Sequence, residues 1–298
     1  MNINYPLLID GGLSNLLEIE GCDLNHEMWY ANLLEKSPES LIKAHYDYLI
    51  SGAKCIITSS YQASILGFMN LGHDKNMAER LLLKSVSLAE EAISRFDSKG
   101  ARPLIAISIG PYGAYLANGS EYYGNYDVSD DLLYDFHFER IKLLDSSSGD
   151  FFACETIPSF QEAKVLSEIL KEINKSAWIS FSCKDSSSIN DGTDIQECIA
   201  FLANHPNIFA VGVNCTSPKY IADLIRSIKK ECLDKKIVVY PNSGETYDVD
   251  SKKWNGISDI DLFTDMAKEW IDLGVDIIGG CCRVGPSHIK SLSRMLYC

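Results

Sequence analysis

Long apolar runs are missing from this chain. None approaches the ~20 residues a helix needs to cross a bilayer, which excludes the reading of a helical membrane protein. Basic residues are few: 27 Lys and Arg stand against 41 Asp and Glu, a formal net charge of −14. Such a surface repels nucleic acid and anionic membranes, so neither is expected as a partner, while cationic ligands are mildly favoured. The opening residues, Met1 to Pro6, lack the basic and apolar regions of a secretory signal. The ten cysteines lack the close, regular spacing of a small disulfide framework. Together these absences lead to the expectation of a cytoplasmic protein with reduced thiols. No low-complexity tract and no long linker divides the chain, and no Gly-x-Gly-x-x-Gly turn follows the first apolar run, which speaks against an open dinucleotide-binding sheet.

What is present is a rhythm repeated about eight times: a short apolar run, a turn rich in Gly, Asn, Ser or Pro, then a helical pattern. The runs are Pro6–Asp10, Lys54–Thr58, Leu104–Ile109, Phe151–Glu155, Ala177–Ser182, Phe209–Asn214, Ile237–Tyr240 and Val275–Gly279. Their length and β-branched and aromatic content suit buried parallel strands. Between them Leu82, Val86, Ala89, Ile93 and Phe96 recur at helical spacing, as do Ala163, Leu166, Leu170 and Ile173. Ser129 and Ser159 have the position of helix N-caps, with acids in the turn that follows. Eight strand–helix units with right-handed crossovers close into a (β/α)8 barrel, so residues 1–298 are expected to form a single α/β barrel domain. Gly110–Tyr126 reads as an irregular active-site loop, and Tyr240–Ile260 as a second long loop carrying Trp254.

A barrel gathers its chemistry at the C-terminal ends of its strands. Asp10–Gly11–Gly12 falls there, as do Glu155, Asn214–Cys215 and Gly279–Gly280–Cys281–Cys282. Adjacent cysteines after two glycines, whose backbone angles are unusually free, could turn both sulfurs toward one point. With Cys215 from a strand only two positions away, they would supply three thiolates to a thiophilic metal such as zinc. Each residue also has a plainer reading. Cys215 alone reads first as a buried thiol. Asp10 could bind turn amides and Glu155 could serve a structural ion pair, although an unpaired buried carboxylate is costly. The tyrosines between 112 and 126 could simply pack their loop. His26, His45 and His137 read as surface or core histidines. Cys55, Cys154, Cys183, Cys198 and Cys232 read as packing residues.

As a set, the motifs resemble the zinc-dependent homocysteine S-methyltransferase family over essentially the whole chain. They are Asp10–Gly11–Gly12–Leu13, the run Thr58 to Ser64, Gly110 to Leu116, Glu155–Thr156–Ile157–Pro158, Ser180 to Asp185, Gly212–Val213–Asn214–Cys215, Tyr240 to Glu245 and Gly279 to Arg283. The stretch Asn118–Gly119–Ser120–Glu121–Tyr122 looks most like the branch that uses S-methylmethionine. The resemblance implies a (β/α)8 barrel with Zn2+ held by Cys215, Cys281 and Cys282, and a fourth position that accepts the homocysteine thiolate. It implies that Glu155 binds the substrate ammonium and that Asp10, Gly11 and Gly12 help hold the amino-acid end, with Asn214 beside them. Tyr61 aligns with a tyrosine that occupies the open metal position before substrate arrives.

The expected reaction is methyl transfer from S-methylmethionine to homocysteine, with S-adenosylmethionine as a second donor. Tyr112, Tyr115 or Trp254 would hold the sulfonium by cation–π attraction. Betaine or another donor is the alternative within the family. A purely structural zinc is another, with Cys183 or Cys298 as fourth ligand. A zinc hydrolase would want His and carboxylate ligands, and a redox role would need only Cys281 and Cys282. The barrel exterior shows no seam that specifies an oligomer.

Overall fold

Ten strands form among the described residues, and eight of them account for the eight apolar runs. They are β1 (Leu7–Leu8), β2 (Cys55–Ile57), β3 (Leu104–Ile109), β4 (Phe151–Ile157), β5 (Ala177–Phe181), β6 (Ile208–Asn214), β7 (Lys236–Tyr240), β8 (Thr246–Asp248), β9 (Lys253–Asn255) and β10 (Ile277–Ile278). The computed structural model describes residues 3–24, 29–97, 100–231, 234–248, 253–255 and 258–298, with only the backbone at 29–30, 246–248 and 253–255. His26 and Cys232 therefore lie outside the described residues, and of Trp254 only the backbone is described.

All strands of the main sheet are parallel, in the order β1-β10-β7-β6-β5-β4-β3-β2. The two ends of that order meet: Ile9 bridges Cys55 in parallel, and the Lys54 N–H donates to the Leu8 carbonyl at 2.8 Å. The barrel expected from the repeat is thus formed and closed by this short seam. Helices Pro38–Ile50, Lys75–Arg95, Asp130–Asp145, Phe160–Leu170, Ile195–Leu202, Pro218–Glu231, Ile260–Asp272 and Pro286–Tyr297 surround it. Ser129 and Ser159 cap two of them, accepting hydrogen bonds from the N–H groups of Leu132 and Glu162.

Strand alternation divides the core in two, because successive side chains point to opposite faces. One set, including Leu7, Ile9, Phe151, Ala153, Trp178, Ala210, Val238 and Ile277, fills the barrel interior. The other, including Leu8, Ile56, Ile107, Phe152, Ile179, Val211 and Ile278, meets the helices. Toward the C-terminal ends of the strands the interior turns polar. Ser108, Glu155, Ser180 and Asn214 replace the aliphatic layer, all of them buried.

Two expected loops are more ordered than their composition indicated. Gly110–Tyr126 contains the helix Tyr112–Leu116 and a 3-10 turn at Ser120–Tyr122, because left-handed Ala117 (φ 52°) and Gly119 (φ 86°) end one turn and begin the next. The segment after β7 folds into the antiparallel β8–β9 hairpin.

Candidate active site

The Sγ atoms of Cys215, Cys281 and Cys282 lie within 4.8 Å of one another, with Cys215 and Cys282 3.7 Å apart. Three thiolates on a tetrahedral zinc, at about 2.3 Å each, would stand about 3.8 Å apart. The donor set and its spacing therefore fit a thiophilic metal. The loop after β7 holds this spacing from between the two cysteine segments. The Tyr240 carbonyl accepts from the Cys215 N–H at 3.2 Å, and the Pro241 carbonyl from the Cys281 N–H at 2.8 Å. The Ser243 N–H donates to the Cys282 carbonyl at 3.1 Å.

The glycines before the paired cysteines do not act as their freedom of angle suggested. Neither Gly279 nor Gly280 has a positive φ; the left-handed residues at these strand ends are Cys215 (φ 47°), Thr156 (φ 59°) and Arg283 (φ 67°). What the glycines permit is close approach. A Cβ on Gly280 would stand 2.0 Å from Val284, and one on Gly279 2.6 Å from the Asp10 carbonyl. The strained backbone sits on the chemically active residues themselves, as expected where a structure over-determines a site.

The thiols titrate as a group. Hydrogen bonds from Cys215 and then Cys281 hold Cys282 well below the ordinary thiol range. Cys215, hydrogen-bonded to Cys281 and Cys282 and buried, is pushed well above it. Hydrogen bonding among the three thiols thus makes the first proton easier to lose and the next ones harder.

Two carboxyl groups lie behind the sulfurs. Glu155, 7% exposed, accepts a hydrogen bond from the Ser108 hydroxyl. Burial pushes its carboxyl up to about 8, with the Cys281 charge adding to the shift and Ser108 and Tyr240 opposing it. Asp10 accepts from the Ile57 N–H at 2.8 Å and is likewise raised by burial, with the charge of Glu155 contributing. No described basic group figures in either shift. The Asp10–Gly11–Gly12 turn is clamped to the last strand. The Gly280 N–H donates to the Asp10 carbonyl, the Gly12 N–H to the Val284 carbonyl, and the Tyr48 hydroxyl to the Gly12 carbonyl at 2.9 Å. A Cβ at Gly11 would come within 2.2 Å of the Val284 carbonyl.

Asn214 ties strands together. Its Oδ1 accepts from the Thr156 N–H at 2.7 Å and the Ser180 hydroxyl at 2.8 Å. Its Nδ2 donates to Thr156 Oγ1 at 2.7 Å and lies 4.0 Å from Cys281 Sγ. Asn214 thereby fixes left-handed Thr156 next to Glu155 and stands directly beside a sulfur.

The aromatic candidates separate. Tyr61 hydrogen-bonds through its hydroxyl to Thr156 and senses the charge of Cys215. Tyr112 and Tyr115 instead pack in a ring cluster, 5.0 and 5.2 Å from Phe136 and 5.6 Å from each other. The tyrosine brought to the sulfurs is Tyr122, whose hydroxyl is raised by burial and then by the charges of Cys215 and Cys282. Nothing in its spacing separated it from its four neighbours in the same loop.

A buried network pins that loop. Arg140 donates to the Gly110 carbonyl and, at 2.8 Å, to His137 Nδ1. His137 is therefore the tautomer with a proton on Nε2, which donates to Glu162 at 2.7 Å. Burial first, and then Arg140, lower the imidazole to about 4. Glu162 also accepts from the Tyr112 N–H at 2.5 Å and the Tyr126 hydroxyl at 3.0 Å. Both ends of the segment from Gly110 to Tyr126 are held, with Glu121 and Tyr122 between them.

Known proteins resemble this chain over nearly its whole length. The family profile for homocysteine S-methyltransferase matches residues 7–296. The chain is 45% identical to homocysteine S-methyltransferase YbgG of Bacillus subtilis over 297 residues, covering 97% of this chain and 94% of that protein. It is 46% identical to homocysteine S-methyltransferase 1 of Brassica oleracea over 306 residues, covering 97% and 93%. The metallated form of the homocysteine methyltransferase MmuM from Escherichia coli superposes with a TM-score of 0.87 at 36% identity, covering 97% of this chain and 96% of that one. With its sulfurs, carboxylates and barrel arranged in this way, the chain belongs to the homocysteine S-methyltransferase family.

Proposed function

We propose that this protein transfers a methyl group from S-methylmethionine to the sulfur of homocysteine, yielding two molecules of methionine, with a zinc ion held by Cys215, Cys281 and Cys282. On this reading the barrel of residues 1–298 works as one homocysteine-binding unit. The observation that carries the proposal is the three-sulfur cluster with two uncompensated carboxyl groups behind it. Zinc in that cluster would supply a Lewis acid that keeps an incoming thiol deprotonated at neutral pH, where a free thiol of pKa about 8.5 is mostly protonated.

The remaining work belongs to the chain. Glu155 and Asp10 are buried carboxyls without a basic partner among the described residues, and the ammonium of homocysteine gives them one. On this reading the amino-acid end of homocysteine lies at Glu155 and Asp10 and its thiol at the three sulfurs. Asn214 and Thr156 hold Glu155 and Cys281 in register, so little reorganisation accompanies binding. In the transfer a bond forms between the homocysteine sulfur and the methyl carbon while the bond from that carbon to the donor sulfur breaks. The electron pair stays on the donor sulfur, which leaves as a neutral thioether, and the thiol proton goes to water. No acid is needed to expel this leaving group, which agrees with a site lacking a described histidine beside the sulfurs.

A structural metal would require a fourth protein ligand. Cys183 donates its N–H to Thr216 and is buried away from the triad, and Cys298 is exposed at the end of the last helix. The open reading is therefore favoured. Metal analysis with a donor panel tests it: about one zinc per chain, lost on Cys215→Ala, and methionine from homocysteine with a sulfonium donor. Failure to form methionine with any sulfonium would refute the assignment.

A further inference from the structure

One oxygen of the Glu121 carboxylate has no answer, while its own backbone N–H donates to the group. Its Oε2 is buried, and among the described residues it has no hydrogen-bond partner. No described Lys, Arg or His lies within ion-pair distance of it, whereas the fully buried Glu162 receives three hydrogen bonds, from the Tyr112 N–H, the Tyr126 hydroxyl and His137. Leaving a buried carboxylate oxygen unmet is costly, and it persists where a ligand completes the set. The position of Glu121 is defined. Its backbone N would lie 2.5 Å from a Cβ on Gly113, so the 3-10 turn rests on the preceding short helix. The Arg140–His137–Glu162 network fixes both ends of the segment that carries it.

Its surroundings point toward the sulfurs. The charge of Glu121 bears on the hydroxyls of Tyr61 and Tyr122, and so does the charge of Cys215. Glu121 and Cys215 thus act on the same two hydroxyls, Glu121 from the loop that packs on Gly113 and Cys215 from the end of β6, whereas Glu155 and Asp10 belong to the barrel strands. The transfer proposed above brings together two amino acids, each with an ammonium group. S-methylmethionine carries that group a short carbon chain away from its sulfonium. With the homocysteine ammonium seated at Glu155 and Asp10, the second ammonium needs another anion at that remove from the sulfurs.

We propose that Glu121 binds the α-ammonium of the methyl donor and so selects an amino-acid sulfonium, with Tyr61 and Tyr122 lining the space between that ammonium and the reacting sulfur. The inference rests on the donor reading above and adds a second carboxylate station to it. Burial also pushes the Glu121 carboxyl up, the direction expected of an anion awaiting its cation.

The test compares Glu121→Gln with the unaltered zinc-loaded enzyme. KM for S-methylmethionine should rise about 10–100-fold, the usual size of a charge-assisted hydrogen bond, while KM for homocysteine stays put. A dimethylsulfonium on a butanoate chain, which lacks the ammonium, should be a poor donor for the unaltered enzyme and no worse for Glu121→Gln. Glu121→Asp, which keeps the charge on a shorter stem, should recover part of the loss, and an unchanged melting temperature would show that the loop is intact. Three results would overturn the inference: an unchanged donor KM, an equal rise in both KM values, or an equal loss with the deaminated donor. If the unaltered enzyme makes no methionine from S-methylmethionine, the donor reading and this inference fall together. If it does, and Glu121→Gln matches it, only the inference falls.

Discussion

Glu155 and Glu162 stand on either side of one turn, at the end of β4 and the start of the following helix, and both are buried. Burial disfavours a carboxylate in each place. At Glu162 the protein answers with a histidine, through it an arginine, a tyrosine hydroxyl and an amide. At Glu155 it answers with hydroxyls alone, and the carboxyl is pushed up to about 8. Burial alone therefore does not mark a functional acid. The mark is burial without compensation, at a point where a cation from outside can enter.

The contrast predicts that changes at the mouth impair chemistry and leave the fold sound, whereas changes at the clamp weaken the fold. The largest effect is expected at the mouth. Cys215→Ala should lower methyl transfer by about a thousandfold or more and abolish metal retention, with little change in melting temperature. Glu162→Ala should cost about 3–5 kcal/mol in urea unfolding, because it leaves Arg140 buried without its counter-charge. A similar loss of stability from Cys215→Ala would break the comparison.

His45 gives a third case, buried with neither ring nitrogen partnered among the described residues and lowered by burial to about 4. Its folded value lies below the unfolded one near 6.5, so its contribution is complete above that pH. As pH falls toward 4 the unfolded chain takes up a proton that the folded chain refuses. Stability should drop by about 3 kcal/mol over that window, and His45→Leu should flatten the slope measured by urea midpoints. Smallest of all, Glu155→Gln should raise KM for homocysteine about 10–100-fold while leaving stability equal or slightly higher, since folding no longer has to suppress the ionisation of a buried carboxyl. Marked destabilisation by Glu155→Gln would mean that its hydroxyl partners already suffice.

The barrel was legible because its signal is local. Alternating or continuous apolar runs, each followed by a helical stripe, announce a strand and its crossover. The three cysteines were legible because strand ends in a barrel converge whatever lies between them. The clamp was not legible: Glu162 looked like an ordinary first-turn acid, and its partners His137 and Arg140 are set by the packing of one helix against another. Tyr122 was hidden among look-alike tyrosines, and Glu121 stood out only within the Asn118–Tyr122 stretch, since what sets them apart is a turn begun by a left-handed glycine at 119. The Gly279–Gly280 pair was read for its freedom of rotation, and its use is to let two stretches of main chain touch.

The pairings of β10 with β1 and with β7 bring together strands far apart in the sequence, and β10 follows Cys215 by some sixty residues. A growing chain can therefore finish most of its layers while Cys215 still waits for companions. The sulfurs acquire their spacing when β10 docks on β7, so before that docking this place offers scavenging ions and oxidants one isolated thiol rather than a ready trap.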